Sequence, residues 1–251
     1  MASHFLKISV GAAAIFLSTS LTPLRAAEPL DSAQKQEVEA IIEQYLMENP
    51  DVLMRALQNV QAWQTAEQTR RQTDALVSVW DSVVTDSSIP SVGPVDAPVT
   101  VVEFFDYHCG YCKQAFNGLM DIADNSDNKV RTLFVEFPIL SEESGVAAAA
   151  ALAAAKQGKY IDIHRAFMDS RGLLDNARID EIAADLGIDV AQMRTDMESQ
   201  EILGALAQNN AMARAVGISG TPAFLIDGQL VSGADMDRVK ALVQAGLENA
   251  S

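Results

Sequence analysis

The chain has 251 residues, 49% of them hydrophobic, and carries 18 basic against 34 acidic side chains for a formal charge of −16. That balance argues against nucleic acid or an anionic membrane as a partner, because both attract basic surfaces. The length suffices for one good core plus an extension.

Residues 1–26 have the pattern of a secretory signal. Lys7 precedes an apolar run from Ile8 to Leu17, and Arg25-Ala26-Ala27 offers small residues for cleavage after Ala26 or Ala27. The run is too short for a membrane span, no later stretch qualifies, and no cysteine lies near enough for a lipid anchor. Cleavage would remove Lys7 and Arg25 but no acid, leaving the mature chain more acidic still.

Residues 28–90 are predicted to form a helical stalk and linker. Asp31 or Ser32 caps a helix in which Val38, Ile41, Ile42, Tyr45 and Leu46 recur at helical spacing until Asn49-Pro50 stops it. Asn49 then caps a second helix that Pro50 opens, with Val52, Leu53, Leu57 and Val60 on one face. The polar run from Gln64 to Asp74 reads as a solvated helix or a hinge, and Leu76 to Val84 restores an apolar face. Short helices with such stripes cannot bury them alone, so they fold onto the main domain or onto copies of themselves. Asp86 to Pro94 is linker chemistry, dense in turn formers.

The main domain is placed at 91–251. Val99 to Phe105 has the composition of a buried strand, and Lys113 to Ala123 reads as a helix with Phe116, Leu119, Met120 and Ala123 on one face. Between them stand Cys109-Gly110-Tyr111-Cys112, which hold the only two cysteines of the chain. Lys129 to Leu140 is a second strand, and about 141–218 is helical throughout, from an Ala-rich opening to a helix ending at Gly217. Pro222 to Ile226 and Leu230-Val231 are strands joined by an Asp227-Gly228 turn, and Met236 to Leu247 is the last helix.

The cysteines thus sit where a strand hands over to a helix N-terminus, where free N–H groups and the helix dipole favour a thiolate. In an oxidising compartment the pair could be a structural bridge. A two-residue spacer closes almost no loop, however, and stabilises little, so the redox reading wins. Cys109, first at the terminus, is the expected nucleophile with an exposed sulfur. Cys112, one turn in, is expected to be buried and to resolve the mixed disulfide.

The element order gives an α/β chain: a thioredoxin fold with a large helical insertion, preceded by an α-helical extension. The Cys-Gly-Tyr-Cys motif, the Ala97-Pro98-Val99-Thr100 lead-in and Gly220-Thr221-Pro222-Ala223 resemble the DsbA-like family of periplasmic oxidoreductases. The extension, notably Tyr45-Leu46 to Leu57, resembles that of the suppressor-of-copper-sensitivity C proteins.

The resemblance implies several roles. Glu103, six residues before Cys109, would relay the proton of Cys112, with its pKa raised by burial; otherwise it is a strand-edge acid reaching solvent. Pro222 would be cis and face the cysteines, leaving the Thr221 backbone open to an extended substrate; His108, Gly110 and Tyr111 complete the substrate-facing set. His108 either hydrogen-bonds near the nucleophile or points away over the surface. His164 reads as an ordinary helix residue and Lys113 as a solvated lysine. Gly110-Tyr111 carries no cation, unlike the Pro-His of the strongest oxidase in the family. Cys109 is therefore expected to be acidified, but less than in that member. Gly-Tyr is also the pair of DsbC-type isomerases, and threonine before the proline points the same way.

The leading expectation is a periplasmic isomerase or reductase. It would act on exported proteins with non-native disulfides, draw electrons from a membrane thiol reductase and assemble as a homotrimer through residues 31–84. The runner-up is a monomeric dithiol oxidase. No cofactor, metal site, nucleic-acid partner or membrane anchor is expected. Cu(I) binding by the cysteines, with His108 the nearest third ligand, is a side activity to test.

Overall fold

In the computed structural model, which describes residues 29–250, the centre is β2 (Val99–Phe105), with every residue but Thr100 buried. Continuous β-branched and aromatic sequence of this kind suits a strand covered on both faces. It pairs in parallel with β3 (Val130–Glu136) and antiparallel with β4 (Ala223–Ile226). β1 (Ser91–Val92) and β5 (Gln229–Ser232) close the edges, giving the order β1-β3-β2-β4-β5. This is the expected thioredoxin framework. The predicted secretory signal lies outside the described residues.

The described residues fall into two units, divided between Val60 and Gln61 within one helix. In the first, α1 (Ser32–Glu48) begins with Asp31 accepting from the Gln34 N–H while the Gln34 side chain accepts from the Asp31 N–H. No residue of α1 is buried. The Asn49 amide donates back to the Tyr45 carbonyl at 2.8 Å, so its side chain closes α1 rather than capping the next helix. α2 (Pro50–Thr85) follows as one helix. The polar stretch 64–74 is therefore helical, stitched by ion pairs such as Arg70–Glu67.

The larger unit takes in residues 61–90 as well as the predicted main domain. Val79, Val83 and Ile89 enter a core with Val102, Phe104, Leu133 and Leu225 on one face of the sheet. The Pro90 carbonyl accepts from the Phe134 N–H. The predicted boundary near 90 thus falls inside the packed unit. The apolar periodicity of Leu76 to Val84, read as stalk, covers the sheet of its own chain.

The opposite face carries α3 (Gly110–Asp124), α9 (Met236–Asn249) and the insertion, built on Val99, Val101, Phe105, Phe134 and Phe224. The insertion is five helices: α4 (Glu142–Lys156), α5 (Tyr160–Asp169), α6 (Asn176–Asp185), α7 (Val190–Met197) and α8 (Gln200–Ala215). Alanines 147–151, 153 and 154 of α4 are all buried, which allows close helix approach. The β4–β5 turn has Asp227 and Gly228 at φ 46° and 76°, the paired positive values of a tight hairpin. A Cβ at Gly93 would collide with the Val130 carbonyl, which fixes glycine where the linker meets β3.

Candidate functional site

Cys109 is the N-cap of α3. Its backbone is extended (φ −78°, ψ 112°), and its sulfur accepts the Cys112 N–H at 3.3 Å, as a serine or aspartate would at this position. The sulfur also donates to the Thr221 carbonyl at 3.3 Å. Hydrogen bonding by the Cys112 thiol is the largest influence holding Cys109 down at about 6. The Thr221 side chain and the N–H groups of Cys112 and Tyr111 act in the same sense, against the cost of burial. Cys109 is only 6% exposed, less open than its position in the sequence suggests.

Cys112 is fully buried. Burial, the bond to Cys109 and the charge of Glu103 all push its thiol far above the usual range. Both cysteines are reduced in this structure. The two sulfurs are chemically unlike, one a ready thiolate and the other a held thiol.

Glu103 lies on β2 in step with Val101 and Phe105, so the two-residue period of the strand turns it to the α3 face. It is fully buried, and neither carboxylate oxygen has a hydrogen-bond partner. Burial first, and then the charge of Cys109, lift its pKa to about 8. It is not a strand-edge acid reaching solvent.

The Thr221–Pro222 bond is cis. Pro222 is buried, Thr221 half-buried, and a cleft of about 240 Å³ runs along this segment between Gly217 and Ser232-Gly233. Gly110 and Tyr111 are exposed beside Cys109, and a Cβ at Gly110 would meet nothing. That glycine answers to no local steric demand.

His108 is half-buried and pinned within the protein. Its Nε2 accepts the Leu174 N–H at 2.9 Å, which leaves Nδ1 to carry the proton toward Ser144 Oγ at 3.0 Å. Ser144 Oγ in turn donates to Asp106 Oδ1 at 2.8 Å. Both ring nitrogens are spoken for, so His108 is not free as a third copper ligand. Among the described residues no three His, Cys, Asp or Glu side chains gather as a metal site.

Two sequence expectations are overturned. Lys113 is half-buried, and its ammonium donates to the Phe167 and Ser170 carbonyls at the end of α5 instead of standing free in solvent. Burial lowers its pKa. It caps a helix and does not support the thiolate. His164 is no ordinary helix residue but fully buried, with rings of Phe105, Tyr107, Phe116, Phe134 and Tyr160 around it and Nδ1 2.9 Å from the Tyr107 hydroxyl. Burial and the charge of Arg165 lower its pKa to about 3.

The sequence reading passed over Asp106 and Glu136. Asp106, 1% exposed, accepts from the N–H groups of His108, Ile139 and Leu140 as well as from Ser144, tying the motif loop to the turn after β3. Glu136, at the end of β3, accepts at Oε1 from the Tyr107 and Tyr160 hydroxyls, each at 2.9 Å. The available signal was an acid within an apolar strand, the same one that singled out Glu103.

Residues 100–245 match the DSBA-like thioredoxin domain, and residues 34–67 match the N-terminal domain of copper resistance protein ScsC. The fold is similar to a thioredoxin-like oxidoreductase from Silicibacter pomeroyi DSS-3, 38% identical with a TM-score of 0.64, over 67% of this chain and 97% of that one. It is similar also to Proteus mirabilis ScsC in a transitional conformation, 30% identical with a TM-score of 0.63, over 88% of this chain and all of that one. A probable disulfide bond formation protein D from Bacillus cereus is 28% identical over 64% of this chain and 80% of its own length. The chain spans about a quarter of the length of the first curated relatives it matches, Na(+)/H(+) antiporters.

Proposed function

Because the chain belongs to the DSBA-like thioredoxin domain family, we propose that it is a periplasmic thiol–disulfide oxidoreductase that reduces or reshuffles disulfides of exported proteins through Cys109 and Cys112. The observation that carries this reading is the split in acidity: Cys109 is held near 6 as a helix N-cap, while Cys112 beside it is buried and pushed up. A thiolate is the attacking species in disulfide exchange, and a held thiol is what a resolving step draws on.

In this mechanism Cys109 attacks a client disulfide and forms a mixed disulfide, releasing the other client sulfur as a thiolate. Glu103, as carboxylate, takes the proton of Cys112. Cys112 then displaces the client from Cys109 and leaves the two cysteines oxidised. Thr221 and Pro222, with Gly110 and Tyr111 exposed beside the nucleophile, supply the surface against which an extended client chain lies. A membrane thiol reductase returns the pair to the dithiol.

Isomerisation is favoured over oxidation by the first unit. Val38, Ile41, Ile42, Tyr45, Leu53, Leu57 and Val60 are exposed there, at helical spacing. A stripe of this kind calls for other copies of the chain, and a homotrimer through residues 31–84 would hold several Cys109 sites around one space. Residues 34–67, which carry that stripe, match the ScsC N-terminal domain. Val79 and Val83, packed on their own domain, favour the alternative of a monomeric dithiol oxidase. Light-scattering mass of the mature protein with and without residues 28–90, beside refolding of a scrambled multi-disulfide substrate, separates the two. A trimer that reshuffles, reduced by truncation to a monomer that only oxidises, is the expected result. A full-length monomer without reshuffling would establish the oxidase.

A further inference from the structure

Two clefts meet at Gly217. One is the cleft of about 240 Å³ along Thr221 and Pro222. The other, of about 800 Å³, lies between α2 and the end of α8. Trp63, Glu67, Arg71 and Gln72 line it on one side, Arg214 and Gly217 on the other. The step from Gly217 to Thr221 spans at most about 13 Å of extended chain. A client lying on Thr221 therefore reaches the second cleft within four or five of its own residues.

The α2 wall is a single stripe. Trp63, Glu67 and Arg71 recur every fourth residue, which sets them on one face over about 12 Å of helix. Trp63 is 66% exposed. Glu67 is already answered from its own helix, by Arg70 at 2.8 Å and Arg71 at 3.5 Å. Arg214, in the last turn of α8, is exposed and meets no acceptor among the described residues. In a chain with 34 acids against 18 bases, an unpaired guanidinium thus shares a cleft with an exposed indole. Tryptophan and arginine are the side chains that most often dominate the energy of an interface.

We infer that this cleft is an outer client subsite, in which Arg214 takes a carboxylate and Trp63 a large apolar side chain of the client. The inference rests on the reading of Thr221 and Pro222 as the surface against which the client lies. The segment recognised stands about four to seven residues from the client cysteine, the reach set by Gly217 and by the length of the α2 stripe. Its chemistry is that of an extended stretch of polypeptide carrying an acid next to an apolar residue.

Charge decides the sign of the preference. Glu67, Arg71 and Arg214 are the charged groups lining the cleft, so positive charge is in excess there. The protein as a whole, at −16, repels an acidic segment. A preference for such a segment is therefore a local property of this cleft. A disulfide of glutathione size ends before Gly217 and gains nothing from it, so the subsite sorts polypeptide disulfides from those of small thiols.

The test uses the full-length mature protein with Cys112→Ala, in which a mixed disulfide at Cys109 persists. Its Cys109–glutathione form is equilibrated with peptides of about twelve residues that hold one cysteine. The peptide thiol displaces glutathione, which leaves as a thiol, and mass spectrometry reads the ratio of the two mixed disulfides. One peptide is otherwise Gly and Ser; in others an Asp-Phe or Lys-Phe pair stands about five residues before or after the cysteine. Asp-Phe on one side of the cysteine is expected to raise the ratio ~5-fold over the Gly-Ser peptide, and Lys-Phe to raise it less. Arg214→Gln and Trp63→Ala should each cut the Asp-Phe gain ~2-fold, and high salt should remove the Arg214 share alone. If Asp-Phe and Gly-Ser peptides are taken equally, the subsite is overturned and the reading of Thr221 stands. If the Gly-Ser peptide displaces glutathione no better than free cysteine does, both fall. If the light-scattering mass drops in Arg214→Gln, a second copy of the chain fills the cleft and the subsite is overturned. Both substitutions are of exposed side chains, so the fold is kept.

Discussion

The backbone N–H of Cys112 points at the sulfur of Cys109 across 3.3 Å, so the second cysteine of the motif helps hold the first as an anion. Its thiol contributes more, being the largest influence on the Cys109 pKa. Replacing Cys112 by alanine keeps the N–H but removes the thiol. The expected outcome is that the midpoint of iodoacetamide alkylation moves up from about 6 in the wild type. An unchanged midpoint would mean that the helix N-terminus alone sets it.

The same shift links stability to pH. Cys109 titrates at about 6 in the folded dithiol against about 9 when unperturbed. A depressed pKa contributes stability that is present above the unfolded value and lost as pH falls through the folded one. Cys109 by itself therefore contributes a gain between pH 6 and 9, at most ~1.4 kcal/mol per unit, which appears as the difference between the two proteins compared below. Urea denaturation of reduced wild type against Cys109→Ser, which should lack this gain, checks it.

Glu103 works in the opposite sense. Its pKa, raised from 4.5 to about 8, means the folded state holds a proton that the unfolded chain gives up. Stability attached to this group is fully present below 4.5 and is lost as pH rises through 8. Glu103→Met should stabilise the protein at neutral pH by roughly 1–3 kcal/mol, since it removes a buried unsatisfied polar group, while slowing release of a mixed disulfide. A destabilised variant with normal release would remove Glu103 from the mechanism.

Lys113 is four residues after Cys109, yet its ammonium serves the last carbonyls of α5. Lys113→Met should cost roughly 1–3 kcal/mol in urea denaturation, because two charge-assisted hydrogen bonds go. The Cys109 alkylation midpoint should stay where it is. A midpoint that rises would mean that the lysine charge reaches the thiolate.

Asp106 gathers four donors, from the motif loop, the turn beyond β3 and α4. Asp106→Ala would leave the Ile139 and Leu140 N–H groups without their acceptor. A loss of about 3 kcal/mol or more is expected, with His108 freed as its Ser144 link loses its anchor. NMR of the His108 ring against wild type would show whether it leaves Leu174.

The framework was legible because its signals are local. Val99 to Phe105 reads as a covered strand from its own composition, the cysteines mark the start of α3, and Asp227-Gly228 declares a hairpin. Glu103 stood out because an acid inside an apolar strand is costly wherever the strand packs. Glu136 carried the same signal and went unread, and its worth depends on Tyr107 and Tyr160 arriving from elsewhere in the chain. Lys113 and His164 were misread for a related reason. Sequence spacing says what a side chain is near along its own helix, not which carbonyl or ring another element brings to it.

By itself the sequence marked a Cys-x-x-Cys pair at a helix N-terminus, which follows from capping and from the order of strand and helix, both short-range rules. An acid beneath the pair and a Thr-Pro pair facing it were what the family resemblance implied. Only the tertiary structure decided how each group is charged. Folding strips water from Cys112, Glu103 and Glu136, and it brings the Thr221 carbonyl to Cys109 and two tyrosine hydroxyls to Glu136 from other segments. Desolvation and partners of that kind exist only once the chain has closed on itself.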